Sequence, residues 1–319
     1  MTKAIKATSR VPKKDLTFTI DFRKKKYSFT VEDNYAFGIC PGSHVTVKNL
    51  KLTGSRMFDV GGHLIIEGGK ADCGRIAWTN GSTNSKLEIK GGSFTQSYMK
   101  ESFLQNRGTT QISKGTFYGG LENLGTMSLT GGTFSGGLTC TVYNDNGKEV
   151  TIKNATIKSA NLRCIQNHGT CTIQSGTFTA DRKVLESYAG STTNILAGSF
   201  TNQNDAILIL SGKAKISGGS FLGGTVVSRA KLTVSGGKFN EALRAEGGSS
   251  ITIKKCTINQ GEKPIHEGHA MLDADGGKIT VKGGSFISPN GVGYSGNVVF
   301  KVSGDYKKLF HVKTLTTNQ

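Results

Sequence analysis

The chain has 319 residues, and 40 Lys and Arg against 22 Asp and Glu give it a formal net charge of +18. Its 44 glycines and only four prolines are typical of a chain that turns often and stays extended between turns. No stretch reaches the roughly eighteen apolar residues of a transmembrane helix, so no membrane span is expected.

Residues 1–40 form a basic segment that differs from the rest of the chain. The segment has no apolar run of the kind found in a secretory leader, so none is expected. The alternation of Phe18, Ile20 and Phe22 predicts a short strand. We interpret residues 1–40 as a cap or attachment segment, because the open end of stacked strands exposes edges and apolar core. The basic run at 23–26 is either a solvated face or a docking tail.

Residues 41–304 repeat one eight-residue phrase about twelve times, at a spacing of about 21 residues. Aliphatic and polar residues alternate, and a glycine-rich turn and usually a phenylalanine follow, as in LEIKGGSF. The residue five positions before the end is a branched aliphatic in every copy, which predicts a strand with one buried side. The residue two positions before the end of each copy is usually glycine, which suits a turn with positive φ. The copies end at Leu52, Ala71, Phe94, Phe117, Phe134, Ile157, Phe178, Phe200, Phe221, Phe239, Ile258 and Phe286.

One strand cannot fill a period of this length, because six extended residues span only about 20 Å. The remaining residues hold a second apolar run and another turn, without a helical pattern. Two or three strands per turn, each paired in parallel with the next turn, predict an all-β, single-stranded parallel β-helix of about 12 coils. The handedness of parallel crossovers favours a right-handed coil. Residues 305–319 are interpreted as a C-terminal cap or tail.

Asparagine recurs at the second turn, at Asn106, Asn123 and Asn167. In YNDNGKE, either Asn144 or Asn146 holds the equivalent position. An inward stack of asparagines can hydrogen-bond from coil to coil. Through this stack and the xIxGGxF-type coil, roughly residues 40–304 resemble the right-handed β-helix proteins of the pectate-lyase-like superfamily. The resemblance implies a fold but no activity, because that superfamily contains lyases, hydrolases, epimerases, phage tailspikes and adhesins.

One outward column offers a candidate catalytic group. Glu122 and Asp145 each stand twelve residues before the end of a repeat copy, so they fall in one column. This predicts that their carboxylates lie about 5 Å apart, as in retaining glycosidases. Arg107 and His168 would flank the two carboxylates. A solvated polar column is the alternative, because every solenoid has one. The Asp cluster that binds calcium in pectate lyases is absent, as is the paired Asp of polygalacturonases. The full column reads Gln105, Glu122, Asp145, Gln166 and Tyr188.

Neither a metal site nor a cofactor is predicted. The densest His and Glu group, PIHEGH at Pro264–His269, lacks the HExxH spacing. The six cysteines form no CxxC pair, and Cys171 and Cys256 fall at packed repeat positions. These features predict reduced thiols and folding in a reducing cytosol.

A second outward column, four residues before the end of the coil, is rich in lysine and is the candidate binding surface. A lysine-studded β-face suits a polyanion, whereas a solvated face that prevents aggregation is the alternative. Threonines recur two positions before these lysines, and such rows of threonine are typical of ice-binding surfaces. The charged residues that stand between the threonines disfavour ice binding here. The lysines of the column are Lys48, Lys90, Lys153, Lys254 and Lys282.

Two hypotheses of function follow from these features. The first is a non-enzymatic structural or adhesive β-helix, either a component of a phage or virus particle or a surface adhesin. Its partners would be other structural proteins of an assembly or a polyanionic glycan, and a homotrimer is one predicted assembly. Its final site would be a virion or the cell exterior. The second hypothesis is a lyase or glycoside hydrolase acting on acidic polysaccharide. No nucleic-acid-binding motif is present, so direct nucleic-acid binding is not expected.

Overall fold

The computed structural model describes residues 17–22, 27–29, 35–82, 84–97, 101–160, 162–202, 206–261, 270–288, 292–312 and 316–318. The protein is an all-β parallel β-solenoid of about 12 turns, as the repeat predicts. The chain divides into two compact units, residues 1–138 and residues 139–319. No helix among the described residues is both long and apolar enough to cross a membrane.

The first unit contains fifteen strands within its described residues. The strands are β1 (Thr17–Asp21), β2 (Tyr27–Phe29), β3 (Phe37–Ile39), β4 (His44–Lys48), β5 (Leu50–Val60), β6 (His63–Ile66), β7 (Gly69–Thr79), β8 (Lys86–Ile89), β9 (Ser93–Gln96), β10 (Leu104–Asn106), β11 (Thr109–Ile112), β12 (Thr116–Tyr118), β13 (Leu121–Asn123), β14 (Thr126–Leu129) and β15 (Thr133–Ser135).

The second unit continues the pattern and has, within its described residues, one 3-10 helix, Tyr306–Leu309, which Asp305 caps through its side chain. Its strands are β16 (Cys140–Asn144), β17 (Glu149–Ile152), β18 (Ala155–Ser159), β19 (Arg163–Asn167), β20 (Thr170–Ile173), β21 (Gly176–Ala180), β22 (Lys183–Ser187), β23 (Thr192–Ile195), β24 (Ser199–Asn202), β25 (Leu208–Leu210), β26 (Lys213–Ile216), β27 (Ser220–Leu222), β28 (Val226–Ser228), β29 (Lys231–Val234), β30 (Lys238–Phe239), β31 (Leu243–Ala245), β32 (Ser250–Ile253), β33 (Thr257–Asn259), β34 (Leu272–Val281), β35 (Ser285–Ser288), β36 (Val292–Phe300), β37 (Phe310–Val312) and β38 (Thr316–Asn318).

Each turn contributes strands to three parallel ladders. Ladder A holds the alternating aliphatic strands, for example β6, β8 and β11 in the first unit and β26, β29 and β32 in the second. Ladder B holds the phenylalanine strands, for example β9 and β12, and β24 and β27. Ladder C holds the asparagine strands, for example β10 and β13, and β16 and β19. The long strands β5, β7, β34 and β36 each contribute to two ladders.

The pairing register confirms the sequence alignment of the coil ends. In the first unit Phe94 lies opposite Phe117, and in the second Phe178 lies opposite Phe200. The aliphatic position five residues earlier is aligned in the same way, with Ile195 opposite Ile216. Identical positions therefore form continuous buried columns within each unit, although the number of residues between successive coil ends varies.

Phenylalanine rings stack along the interior of each unit. In the second unit the ring centroids of Phe178, Phe200, Phe221 and Phe239 follow one another at 4.8, 4.7 and 4.6 Å. These distances equal the spacing of paired strands, because each turn adds one ring at the same place. Offset stacking of this kind adds to the energy of apolar burial.

The turn between ladders A and B requires glycine for two reasons. Gly92 has a φ of 121°, and a Cβ built there would lie 2.5 Å from Cζ of Phe94. The ring at the end of the coil therefore packs directly over the glycine of its own turn. In two of the three coils that lack this glycine, those with Leu50 and Ala155, the preceding asparagine has the positive φ instead, 52° at Asn49 and 54° at Asn154. Asparagine tolerates the left-handed region better than other non-glycine residues.

The asparagine stack is confirmed, and in YNDNGKE its member is Asn144. The amide Nδ2 of Asn106 donates to Oδ1 of Asn123 at 2.8 Å, and Nδ2 of Asn144 donates to Oδ1 of Asn167 at 2.8 Å. All four side chains are fully buried. Because each amide both donates and accepts, the stack satisfies polar groups that would otherwise be unpaired in the core.

Beyond the asparagines, the buried column that contains Asn144 and Asn167 continues with residues whose side chains make no hydrogen bond. Ser228 lies in it between Leu210 and Ala245, and its buried Oγ has no hydrogen-bond partner. We therefore predict that Ser228→Ala raises the free energy of unfolding by about 1 kcal/mol, because it removes an unsatisfied hydroxyl without opening a large cavity. Thermal denaturation followed by circular dichroism measures the change. A lower melting temperature would contradict the prediction.

Strands at both ends of the chain join the ladders. The predicted strand around Phe18 is β1, which pairs in register with β4 and places Phe18 opposite Val45. Phe18 keeps 45 % of its surface exposed at this inward position. At the other end, β37 pairs with β35 and places Phe310 opposite Phe286. The basic run at 23–26 lies outside the described residues.

Candidate functional site

Glu122 occupies its predicted outward position in the first unit. It lies on β13 opposite Gln105 on β10, and its Oε2 accepts hydrogen bonds from Oγ of Ser102 at 2.7 Å and Nε2 of Gln105 at 2.8 Å. Arg107 is exposed and follows β10 directly. The two contacts fix the half-buried carboxylate in one orientation.

The predicted column position of Asp145 is wrong. Within the second unit, Gln166 lies opposite Tyr143 and Glu186, and Asp145 belongs to the turn after β16. The cause is the length of the turn between ladders C and A, which differs from coil to coil. Val150 follows Asn144 by six positions, whereas Cys171 follows Asn167 by only four. Counting back from the end of the coil therefore shifts the column by two residues. The longer turn of the coil after β22 shifts Tyr188 in the same way.

His168 and Asp145 instead meet an aromatic cluster. The ring of His168 stacks on Tyr188, with centroids 4.0 Å apart, and lies 5.4 Å from the ring of Tyr143. The hydroxyl of Tyr143 donates to Oδ1 of Asp145 at 3.1 Å. Burial, and then the neighbouring Glu186 carboxylate, raise the pKa of Tyr188. Stacked faces cover one another, so this cluster is better suited to stiffening the turns than to binding a ligand.

The predicted lysine column is not one surface. In the first unit Lys48 forms an ion pair with Glu67 at 3.1 Å, and Glu67 separates it from Lys90. In the second unit Lys153 is exposed, but Gln174, Leu196, Ser217 and Ser235 follow it in the column before the next lysine. Only Lys254 and Lys282 are neighbours, because they follow β32 and β34, which pair with each other.

Further lysines lie on the same side of the sheet as Lys254 and Lys282. We call this surface the lysine face; it is the outward side of ladder A in the second unit, from β23 to β36. Lys213 and Lys215 lie on β26, and Lys231 on β29 is directly opposite Lys213. Sequence reasoning missed these residues because they stand six and eight positions before the coil end rather than four. The face consists of Lys213, Lys215, Lys231, Lys254, Lys278, Lys282 and Lys301, which are all exposed.

The lysine face carries positive charge without compensation. The outward positions between its lysines hold mainly Ser and Thr, and among the described residues of this face there is no Asp or Glu. Neighbouring lysines lie about 4.8 Å apart across strands and about 6.6 Å apart along a strand. Like charges placed directly opposite each other destabilise a sheet. A shallow depression of about 330 Å³ lies at Lys213, Lys215 and Lys231, between Thr192, Asn194 and Thr233.

Arginines elsewhere in the protein are used differently. Arg56 and Arg75 both contact Glu101, at 2.9 and 2.8 Å. In the second unit, Arg229 contacts Glu246 at 2.8 Å, and Arg244 contacts Asp273 at 3.3 Å. These arginines therefore serve mainly as internal ion pairs, whereas the lysine face stays uncompensated among the described residues.

The cysteines are free, and five of the six are buried. Burial raises the pKa of the Cys164, Cys171 and Cys256 thiols to about 12. At neutral pH these thiols are therefore protonated and poorly nucleophilic. Their position in the core indicates a packing role.

Within the described ranges no three His, Cys, Asp or Glu side chains converge as a metal-binding group. The segment Pro264–His269, which holds the densest His and Glu group of the sequence, lies outside these ranges. A comparison of the chain with known protein families, curated proteins and solved structures finds no match.

Proposed function

We propose that the protein is a non-enzymatic structural or adhesive β-solenoid that binds a polyanionic partner through the lysine face. The single observation that carries the proposal is one sheet face with seven exposed lysines and, among its described residues, no carboxylate. As part of the proposal, the chain belongs to the pectate-lyase-like superfamily and works in a virus particle or on a cell surface. The homotrimer stays a prediction.

Charge density supports the proposal. Lysine is a compact point charge with rotatable donors, so it binds anionic groups without requiring one fixed geometry. A dense group of such charges attracts a polymer that carries many anionic groups, and each contact releases counterions. Bound polyanion would also relieve the repulsion between opposed lysines such as Lys213 and Lys231.

The test measures the affinity of the protein for polygalacturonate, dextran sulfate and polyphosphate as a function of salt, with neutral dextran as the control. We expect binding to all three polyanions, no binding to neutral dextran, and a linear fall of log K with log salt. The proposal fails if neutral dextran binds equally well or if salt leaves the affinity unchanged.

The second candidate is a carbohydrate-active enzyme on acidic polysaccharide. Its support is Glu122, which two hydrogen bonds hold in one orientation near the exposed Arg107. Product release from polygalacturonate, compared between the wild type and Glu122→Gln, separates the two candidates. Turnover that the substitution abolishes would favour the enzyme; under the favoured proposal neither protein releases product.

A further inference from the structure

A pair of histidines on the first unit forms a second distinctive surface, apart from the lysine face. Strands β4 and β6 pair in register, so His44 lies directly opposite His63 on the outward side of ladder A. His44 is exposed, whereas the side chain of His63 keeps 18 % of its surface. The ring centroids lie 5.2 Å apart, with an angle of 71° between the ring planes.

This spacing agrees with two imidazoles on one metal ion. An imidazole nitrogen binds zinc at about 2.0–2.1 Å, which puts each ring centre about 3.2 Å from the ion. Two rings at a roughly tetrahedral angle then have centres about 5.2 Å apart. Because His44 is exposed, it can turn its ring nitrogen toward the ion without disturbing the core.

A contact with Glu88 orients the ring of His63. Oε1 of Glu88 contacts Nε2 of His63 at 3.0 Å, which leaves Nδ1 of the ring available as a ligand. A carboxylate behind the imidazole is the usual partner of a metal-binding histidine, because it fixes the tautomer and increases ligand basicity. The ammonium of Lys86 is 2.6 Å from the same Oε1, so Lys86 and His63 share the Glu88 carboxylate.

The surroundings leave room for the remaining ligands. A groove of about 360 Å³ is lined by both histidines together with Ser43, Asn84, Lys86 and Thr109. Two protein ligands leave two positions of a tetrahedral ion open for water or for a donor from a partner. We propose that His44 and His63 form an open two-histidine site for a divalent transition metal of the zinc, nickel and copper class, with Glu88 as the positioning residue.

Zinc chloride, titrated calorimetrically, tests the proposal. His266 and His269 lie outside the described residues, and the background protein carries His266→Gln and His269→Gln so that neither imidazole contributes to zinc binding. We expect one zinc ion per chain, an affinity at least tenfold weaker in His44→Ala and in His63→Ala, and about tenfold weaker in Glu88→Gln. His311→Ala, which removes another exposed histidine, should leave the affinity unchanged. Magnesium should not bind, because it prefers oxygen ligands.

A second readout reports the ligands directly. Copper bound to the background protein should show hyperfine coupling to two imidazole nitrogens by electron paramagnetic resonance, and to one in His44→Ala. Circular dichroism of His44→Ala controls for folding. The proposal is overturned if the background protein binds no zinc at millimolar concentration, or if His44→Ala binds zinc as tightly as the background protein does.

Discussion

Replacing Lys213, Lys215 and Lys231 together by glutamine should weaken polyanion binding about a hundredfold at low salt. Each lysine near an anionic surface contributes about 1 kcal/mol, and three contacts contribute about 3 kcal/mol. The slope of log K against log salt should become shallower by about two to three, because fewer counterions are released on binding. Titration with dextran sulfate at several salt concentrations measures both quantities.

The matched control changes the same amount of charge elsewhere. Lys51, Lys70 and Lys114 are exposed lysines of the first unit, and their replacement by glutamine also lowers the net charge by three. We expect this control to keep nearly all of its affinity. Equal losses in the two triple variants would show that net charge alone drives binding, and the lysine face would lose its assigned role.

Asn106→Leu should lower the free energy of unfolding by about 4 kcal/mol. Oδ1 of Asn106 accepts hydrogen bonds from the hydroxyls of Thr79 and Thr110, both at 2.8 Å, and Nδ2 donates to Asn123 and to the carbonyl of Thr126. Leucine preserves the volume but leaves these buried groups without their partner. Each orphaned group costs about 1–3 kcal/mol. Chemical denaturation followed by circular dichroism measures the loss.

Ser228→Ala is the contrasting variant for this measurement. It also removes a polar side chain from a fully buried position of ladder C, but its hydroxyl makes no hydrogen bond. The two substitutions should therefore change stability in opposite directions. If Asn106→Leu unfolds at the same denaturant concentration as the wild type, the hydrogen-bonded stack does not stabilise the first unit.

The repeat positions of the fold could be predicted from sequence because each residue there has one structural role. A branched aliphatic such as Ile195 and a ring such as Phe200 fit only an inward column, and the turn glycine is needed for its positive φ. Counting from the coil end works wherever the turn length is constant. It fails at Asp145 because the turn between Asn144 and Val150 is two residues longer than the turn between Asn167 and Cys171. The column of a side chain therefore depends on the number of residues in the turn before the next strand.

The candidate site was predicted only in part, for a related reason. Lys254 and Lys282 lie in the column that the sequence singles out, whereas Lys213 and Lys231 lie in another column of the same face. A binding surface is formed by residues from several columns and several turns, so one column cannot define it. Pairing also decides which lysines are uncompensated, and the ion pair of Lys48 with Glu67 depends on contacts between turns.

Amine-reactive footprinting with mass spectrometry tests the central claim most directly on the unmodified protein. The reactivity of each lysine is compared with and without dextran sulfate at low salt. Protection should be concentrated on the lysine face, and Lys51, Lys70 and Lys114 should stay reactive. Uniform protection of all exposed lysines, or protection centred on the first unit, would contradict the account. The lysines expected to be protected are Lys213, Lys215, Lys231, Lys254, Lys278, Lys282 and Lys301.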